Sequence, residues 1–188
     1  MGTSRNQLYY NNFEIQEVIE SNQGMISFRV IDKTHKKPYC LKVYTGASME
    51  CAHNNDRVLN NKFDGKHPPR FPKLYRSCNM ENRRESVEQL LGPSLEKLFM
   101  RAKPTTLDKV FICKTVTSMI DRLDCLHRSG YLHGNVSLKS FYCGLEDPYI
   151  LFLADFYHSK KISYKVASIY LGQPQITSFK VKLRHGAH

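Results

Sequence analysis

Six cysteines and eight histidines are the side chains of this sequence best able to ligate a metal or attack as nucleophiles, and their spacing supports neither chemistry. Cys40, Cys51, Cys78, Cys113, Cys125 and Cys143 are scattered, with no C-x-x-C pair, so they read as free thiols in a reducing compartment. Acid–base and hydroxyl groups gather instead in "SGYLHGNVSLKSFYCG", residues 129–144, where His133 and Asn135 are followed by Ser137 and Ser140. No carboxylate occurs between Lys139 and Glu146, and none after Asp155. The Asn135 amide is neutral and cannot take a proton as a base. The other seven histidines show no metal spacing.

The elements that must position these residues follow from local pattern. With 188 residues, 41% of them apolar, the chain can bury one real core. No run reaches the roughly 18–20 apolar residues of a membrane span, and "MGTSRNQLYY" lacks the apolar region of a secretion signal. Gly2 would suit myristoylation, but Asn6 stands where Ser or Thr is required. Residues 12–45 alternate as antiparallel hairpins, with turns at "SNQG" and "DKTHKKP". Residues 50–61 suit a short helix, and the prolines of "GKHPPRFPKLYRS" forbid one. The clearest helix is predicted over 105–127, with Thr105 and Asp108 at capping-box spacing. Tyr149-Ile150-Leu151-Phe152-Leu153 reads as a buried strand. A sheet followed by helices makes the class α+β.

Charge is uneven. The net charge is +11, yet residues 156–188 hold six Lys or Arg and no acid, leaving 22 basic and 17 acidic residues before them. Such a tail suits nucleic acid, anionic lipid or an acidic protein, or it is a solvated extension.

Four segments, taken in order, resemble a known family. "LLGPSLEKLF", Leu90–Phe99, resembles the stretch after the hinge in the casein kinase I superfamily, which includes the vaccinia-related kinases. "YCLKVY" resembles the third strand of a protein kinase, with Lys42 in the phosphate-pairing slot. "LDCLHRSGYLHGNVSLKSF" resembles the end of the long C-lobe helix and the catalytic loop. "ILFLADFY" resembles the approach to Asp-Phe-Gly, here Asp155-Phe156-Tyr157. The wording His133-Gly134-Asn135-Val136 is similar to the inactive branch of the vaccinia-related kinases.

The resemblance implies a protein-kinase-like fold with an antiparallel N-lobe sheet and a partial helical C-lobe. It divides the chain into an extension (1–12), an N-lobe (13–89), part of a C-lobe (90–160) and a basic tail (161–188). It assigns nucleotide binding to Lys42, Asp155 and Gly24, with Asp155 as the metal ligand for Mg²⁺ and ATP as the cofactor. The acid partner of Lys42 would be Asp56, or Asn55 if the alignment slips by one. It also marks departures. Glu20, Asn22 and Met25 stand where phosphate-covering glycines belong. Asn135 replaces the catalytic Asp, at a cost of roughly 10²–10⁴ in rate. Ser137 replaces a phosphate-neutralising Lys, Ser140 replaces a metal-binding Asn, and Tyr157 replaces a glycine. Past Asp155 the match fades to a faint likeness at 166–173, so the family's later C-lobe helices are expected to be missing. Their loss would leave the 105–127 helix with exposed apolar surface.

The expectation is therefore a truncated, catalytically impaired kinase-like module, a pseudokinase, that serves as a signalling scaffold or regulatory binding protein. Two other readings stand beside it. One is a residually active Ser/Thr kinase using Lys42 and Asp155 with ATP and Mg²⁺. The other is a nucleic-acid or chromatin-binding module acting through residues 159–188. The expected partner is a signalling protein, the membrane is excluded, and the setting is nuclear or cytoplasmic.

Overall fold

The computed structural model describes residues 12–61, 70–101 and 108–162. Three strands form a meander: β1 (Phe13–Asn22), β2 (Met25–Asp32) and β3 (Pro38–Thr45). Helix α1 (Ser48–Leu59) follows, and β4 (Leu74–Asn79) and β5 (Arg83–Gln89) complete an antiparallel sheet ordered β1-β2-β3-β5-β4. The second half holds α2 (Leu95–Arg101), α3 (Lys109–Arg128), β6 (Tyr131–Leu132), β7 (Phe141–Cys143), β8 (Leu151–Leu153) and β9 (Lys160–Lys161). Short 3₁₀ turns occupy Leu138–Ser140 and Phe156–His158. β7 pairs with β8, and β6 with β9. The α+β expectation holds.

Period-two alternation gives the sheet two unlike faces. Val30, Leu41 and Val87 cluster on one, with Phe13, Phe28, Tyr39 and Val43 around them. The other face carries Ser27, Cys40, Lys42, Tyr44, Ser86 and Glu88, all buried. Register sets Lys42 between Ser27 and Ser86, two small side chains that leave room for a long one. Helix α1 packs beneath this polar face and buries Ala52, Asn55, Asp56 and Val58.

A separate core forms in the second half from Phe71, Leu95, Leu126, Phe141, Leu153, Phe156 and their neighbours. Helix α3 joins it only through its C-terminal half, by Met119, Leu123, Cys125 and Leu126. The helix starts later than the pattern suggested. Asp108, expected inside a capping box, is itself the N-cap, extended at φ −66°, ψ 138°, with no side-chain cap bond. Thr105 lies outside the described residues. At the other end Gly130 turns left-handed at φ 83°, and its N–H donates to His127 O at 2.9 Å.

The strand expected over 149–153 shortens to Leu151–Leu153. Asp147 Oδ1 accepts the Tyr149 N–H at 2.9 Å, and this turn takes Tyr149 out into solvent. The expected boundary between C-lobe and tail falls inside β9, where Lys161 pairs with Tyr131. Most of the basic segment 159–188, and the 166–173 stretch, lie outside the described residues. No helix among the described residues is long and apolar enough to cross a membrane.

Candidate functional site: the cleft around Lys42

Lys42 extends from β3 into the space between the sheet and the second half of the chain. Its Nζ lies 3.0 Å from Glu88 Oε2, on the neighbouring β5. It also donates to Tyr157 Oη at 2.9 Å and lies 3.4 Å from Asp155 Oδ1. Burial alone would lower the Lys42 amine, but Glu88 and then Tyr157, Tyr44 and Asp155 hold it well above its ordinary value. The amine is therefore a permanent cation with three oxygen partners.

Those partners are themselves tied. Glu88, 2% exposed, accepts from Asn55 Nδ2 at 2.9 Å and Ser86 Oγ at 3.2 Å through Oε1. Asp155 Oδ2 accepts from Tyr142 Oη at 2.7 Å. Asp155 holds a left-handed backbone, φ 63° and ψ 53°, which costs a non-glycine residue free energy and needs such anchoring. Burial first and the Asp155 charge second push both the Tyr142 and Tyr157 phenols up, so both stay neutral, Tyr142 donating to Asp155 and Tyr157 accepting from Lys42. Cys40, beside Lys42, is pushed up to about 12 by burial and is an inert thiol.

Helix α1 corrects the expected partner of Lys42, which is Glu88 and not Asp56. Asp56 Oδ2 accepts Ser77 Oγ at 2.6 Å, Arg84 Nε at 3.0 Å and Arg84 Nη2 at 2.5 Å, which holds α1 against β4 and β5. One residue along a helix is a rotation of about 100°, so Asn55 takes the cleft side instead. Asn55 Oδ1 accepts the Phe156 N–H at 3.2 Å, while its amide donates to Glu88. Asn55 thus reaches Lys42 only through a carboxylate that β5 supplies.

Gly24 also departs from its expected role. It occupies the two-residue β1–β2 turn at φ 82°, packed so closely that a Cβ there would meet Thr45 O at 2.9 Å. Its carbonyl accepts from Thr45 N at 2.7 Å and from Ser48 Oγ. It is a turn residue against β3 and α1 and does not line the cleft, whereas Glu20 does.

Asn135, Ser137 and Ser140 come together around the loop after β6. Ser140 Oγ donates to Asn135 O at 3.1 Å, and Ser137 Oγ lies 3.5 Å from Ser140 Oγ. His133 is buried, with Nε2 2.9 Å from Ala154 O. A carbonyl only accepts, so Nε2 carries the proton and Nδ1 accepts the Asn135 N–H at 3.4 Å. Burial lowers the His133 imidazole below its ordinary value, which keeps it neutral and structural.

The cavity is about 60 Å³, lined by Ile19, Glu20, Lys42, Glu88, Tyr142 and Asp155 among others. Among the described residues no three His, Cys, Asp or Glu side chains converge into a metal cluster.

Sequence reasoning missed Glu88 and Tyr142. Glu88 had a legible signal, since it alternates with Arg84 and Ser86 on a strand whose other face holds Val87. Tyr142, between buried Phe141 and Cys143, had none.

No family model and no curated protein matches the chain. Among solved structures it is similar to the one titled "Structure of vaccinia related kinase 3", with a TM-score of 0.68 and 17% identity. The match covers 84% of this chain and 52% of that one. The chain has a protein-kinase-like fold. Its five-stranded sheet with α1 corresponds to a kinase N-lobe, and the helices and short strands after Gln89 to part of a C-lobe. The kinase-like chain spans about half the length of the structure it matches.

Proposed function

We propose that this chain is a catalytically impaired, kinase-like module that works as an intracellular scaffold for a signalling protein, in the nucleus or the cytoplasm. One observation carries the proposal: the Lys42 amine is already coordinated by Glu88, Tyr157 and Asp155 inside a cavity of about 60 Å³. In the kinase-like alignment that amine is the phosphate ligand, and here protein oxygens use its donors. The residues present do not fit a nucleotide triphosphate with its metal. Glu20 and Glu88 bring carboxylates toward the space its anionic phosphates would take. Asp155, the metal-ligand candidate, spends one oxygen on Lys42 and the other on Tyr142.

Chemistry is degraded independently. Asn135 offers an amide where a base is required, and Ser137 and Ser140 are neutral hydroxyls, Ser140 donating to Asn135 O. A phosphoryl-transfer assay on a generic protein substrate, with wild type beside Asp155→Ala, tests the reading. Transfer at background level in both is expected. Transfer by wild type that Asp155→Ala abolishes would restore the active-kinase reading.

A further inference from the structure

From Val110 to Ile120, helix α3 exposes a series of apolar side chains. Val110 is 57% exposed, Val116 46% and Ile120 59%, with Phe111, Ile112 and Cys113 also exposed. Isolated exposed apolar residues are ordinary, but a continuous apolar line on one helix marks an interaction surface. At about 100° per residue, Lys109, Ile112, Val116, Ile120 and Asp124 fall within roughly 120° of one another, on a seam about 22 Å long.

The ends of this seam differ in sign. Lys109 is basic, whereas Asp124 is acidic and half-exposed, holding only Arg128 of its own helix in the structure. We propose that two copies of this chain pair through α3, antiparallel, with the two-fold axis beside Val116. Ile112 of one copy then lies across from Ile120 of the other, and Lys109 of one across from Asp124 of the other. An isologous contact of this kind makes both charge pairs at once. A parallel arrangement would set Lys109 against Lys109 and Asp124 against Asp124, so charge selects the antiparallel one. The face lies outside the cleft, and the proposal is independent of whether the cleft binds nucleotide.

Sedimentation of the full 188-residue chain over a concentration series tests this. A concentration-dependent dimer is expected, abolished by Val116→Glu with the thermal midpoint of the monomer unchanged. Lys109→Glu and Asp124→Lys should each weaken it, and the two together should restore it. Ile120→Cys places a thiol across from the native Cys113, so mild oxidation should give a covalent dimer. Should Val116→Glu unfold the chain, that cross-link decides alone. A monomer at every concentration, or a dimer indifferent to these changes, overturns the proposal. So does protection of α3 amides from exchange that is independent of concentration, since it would show that the same chain covers the helix.

Discussion

The cleft and the exposed half of α3 are built on opposite plans. In the cleft each charged group meets a protein partner: Lys42 has Glu88, Asp155 and Tyr157, and these have Asn55 and Tyr142. Along α3 apolar side chains face solvent from Val110 to Ile120. A site that binds a ligand normally leaves polar valence open, and an interior normally hides its apolar groups. Here polar groups pair with one another between the sheet and the second half of the chain, and a helix face leaves apolar groups exposed. The difference shows where charge is satisfied within the chain and where apolar surface is left to solvent.

Substitutions can break that contrast. Glu88→Ala should do the most damage, leaving the buried Lys42 cation short of its closest acid, at a cost of about 3–5 kcal/mol in urea unfolding. Little change would mean that Asp155 and Tyr157 suffice to hold the amine. Asp56→Ala removes the partner of the buried Arg84 and should cost about 3 kcal/mol, with α1 amides exchanging first. Protection of α1 equal to wild type would show that Asn55 alone seats the helix.

Acid should act through His133. Its folded-state value lies below the ordinary 6.5, so the unfolded chain binds the proton more readily. The stability this neutral ring contributes is intact above that ordinary value and declines as pH falls below it, by at most about 1.4 kcal/mol per pH unit. His133→Gln should flatten this part of the profile, and an unchanged slope would put the titrating group elsewhere. Tyr157→Phe deletes one hydroxyl from Lys42 and should cost about 1 kcal/mol. At the far end of the scale, Val116→Lys on the open face of α3 should shift monomer stability by less than about 0.5 kcal/mol. A larger loss would mean that Val116 packs inside the monomer.

The sheet was legible because its central strands alternate, with Leu41 and Val43 on one face and Cys40 and Lys42 on the other. The order of kinase-like segments was legible because each keeps a short, distinctive wording. The partner of Lys42 was not. Asn55 and Asp56 differ by one residue, and only the packing of α1 decides which of them meets the cleft. The alternation of Glu88 with Arg84 and Ser86 places it on one face of its strand, but only the fold shows that this polar face is the buried one. Gly24 misled because glycines serve both phosphate loops and tight turns, and its contact with Thr45 belongs to the turn. The start of α3 shifted because a single acid, Asp108, can stand at the cap or inside the first turn.

The claim that the cleft is closed upon itself is tested most directly by thermal unfolding of the purified chain, without and with ATP, in Mg²⁺ and then in EDTA. A ligand that binds only the folded state raises its apparent midpoint. The account predicts one cooperative transition at the same midpoint in every condition. A rise with ATP that requires Mg²⁺ would contradict it, and would show that Lys42 and Asp155 release their protein partners to hold a nucleotide.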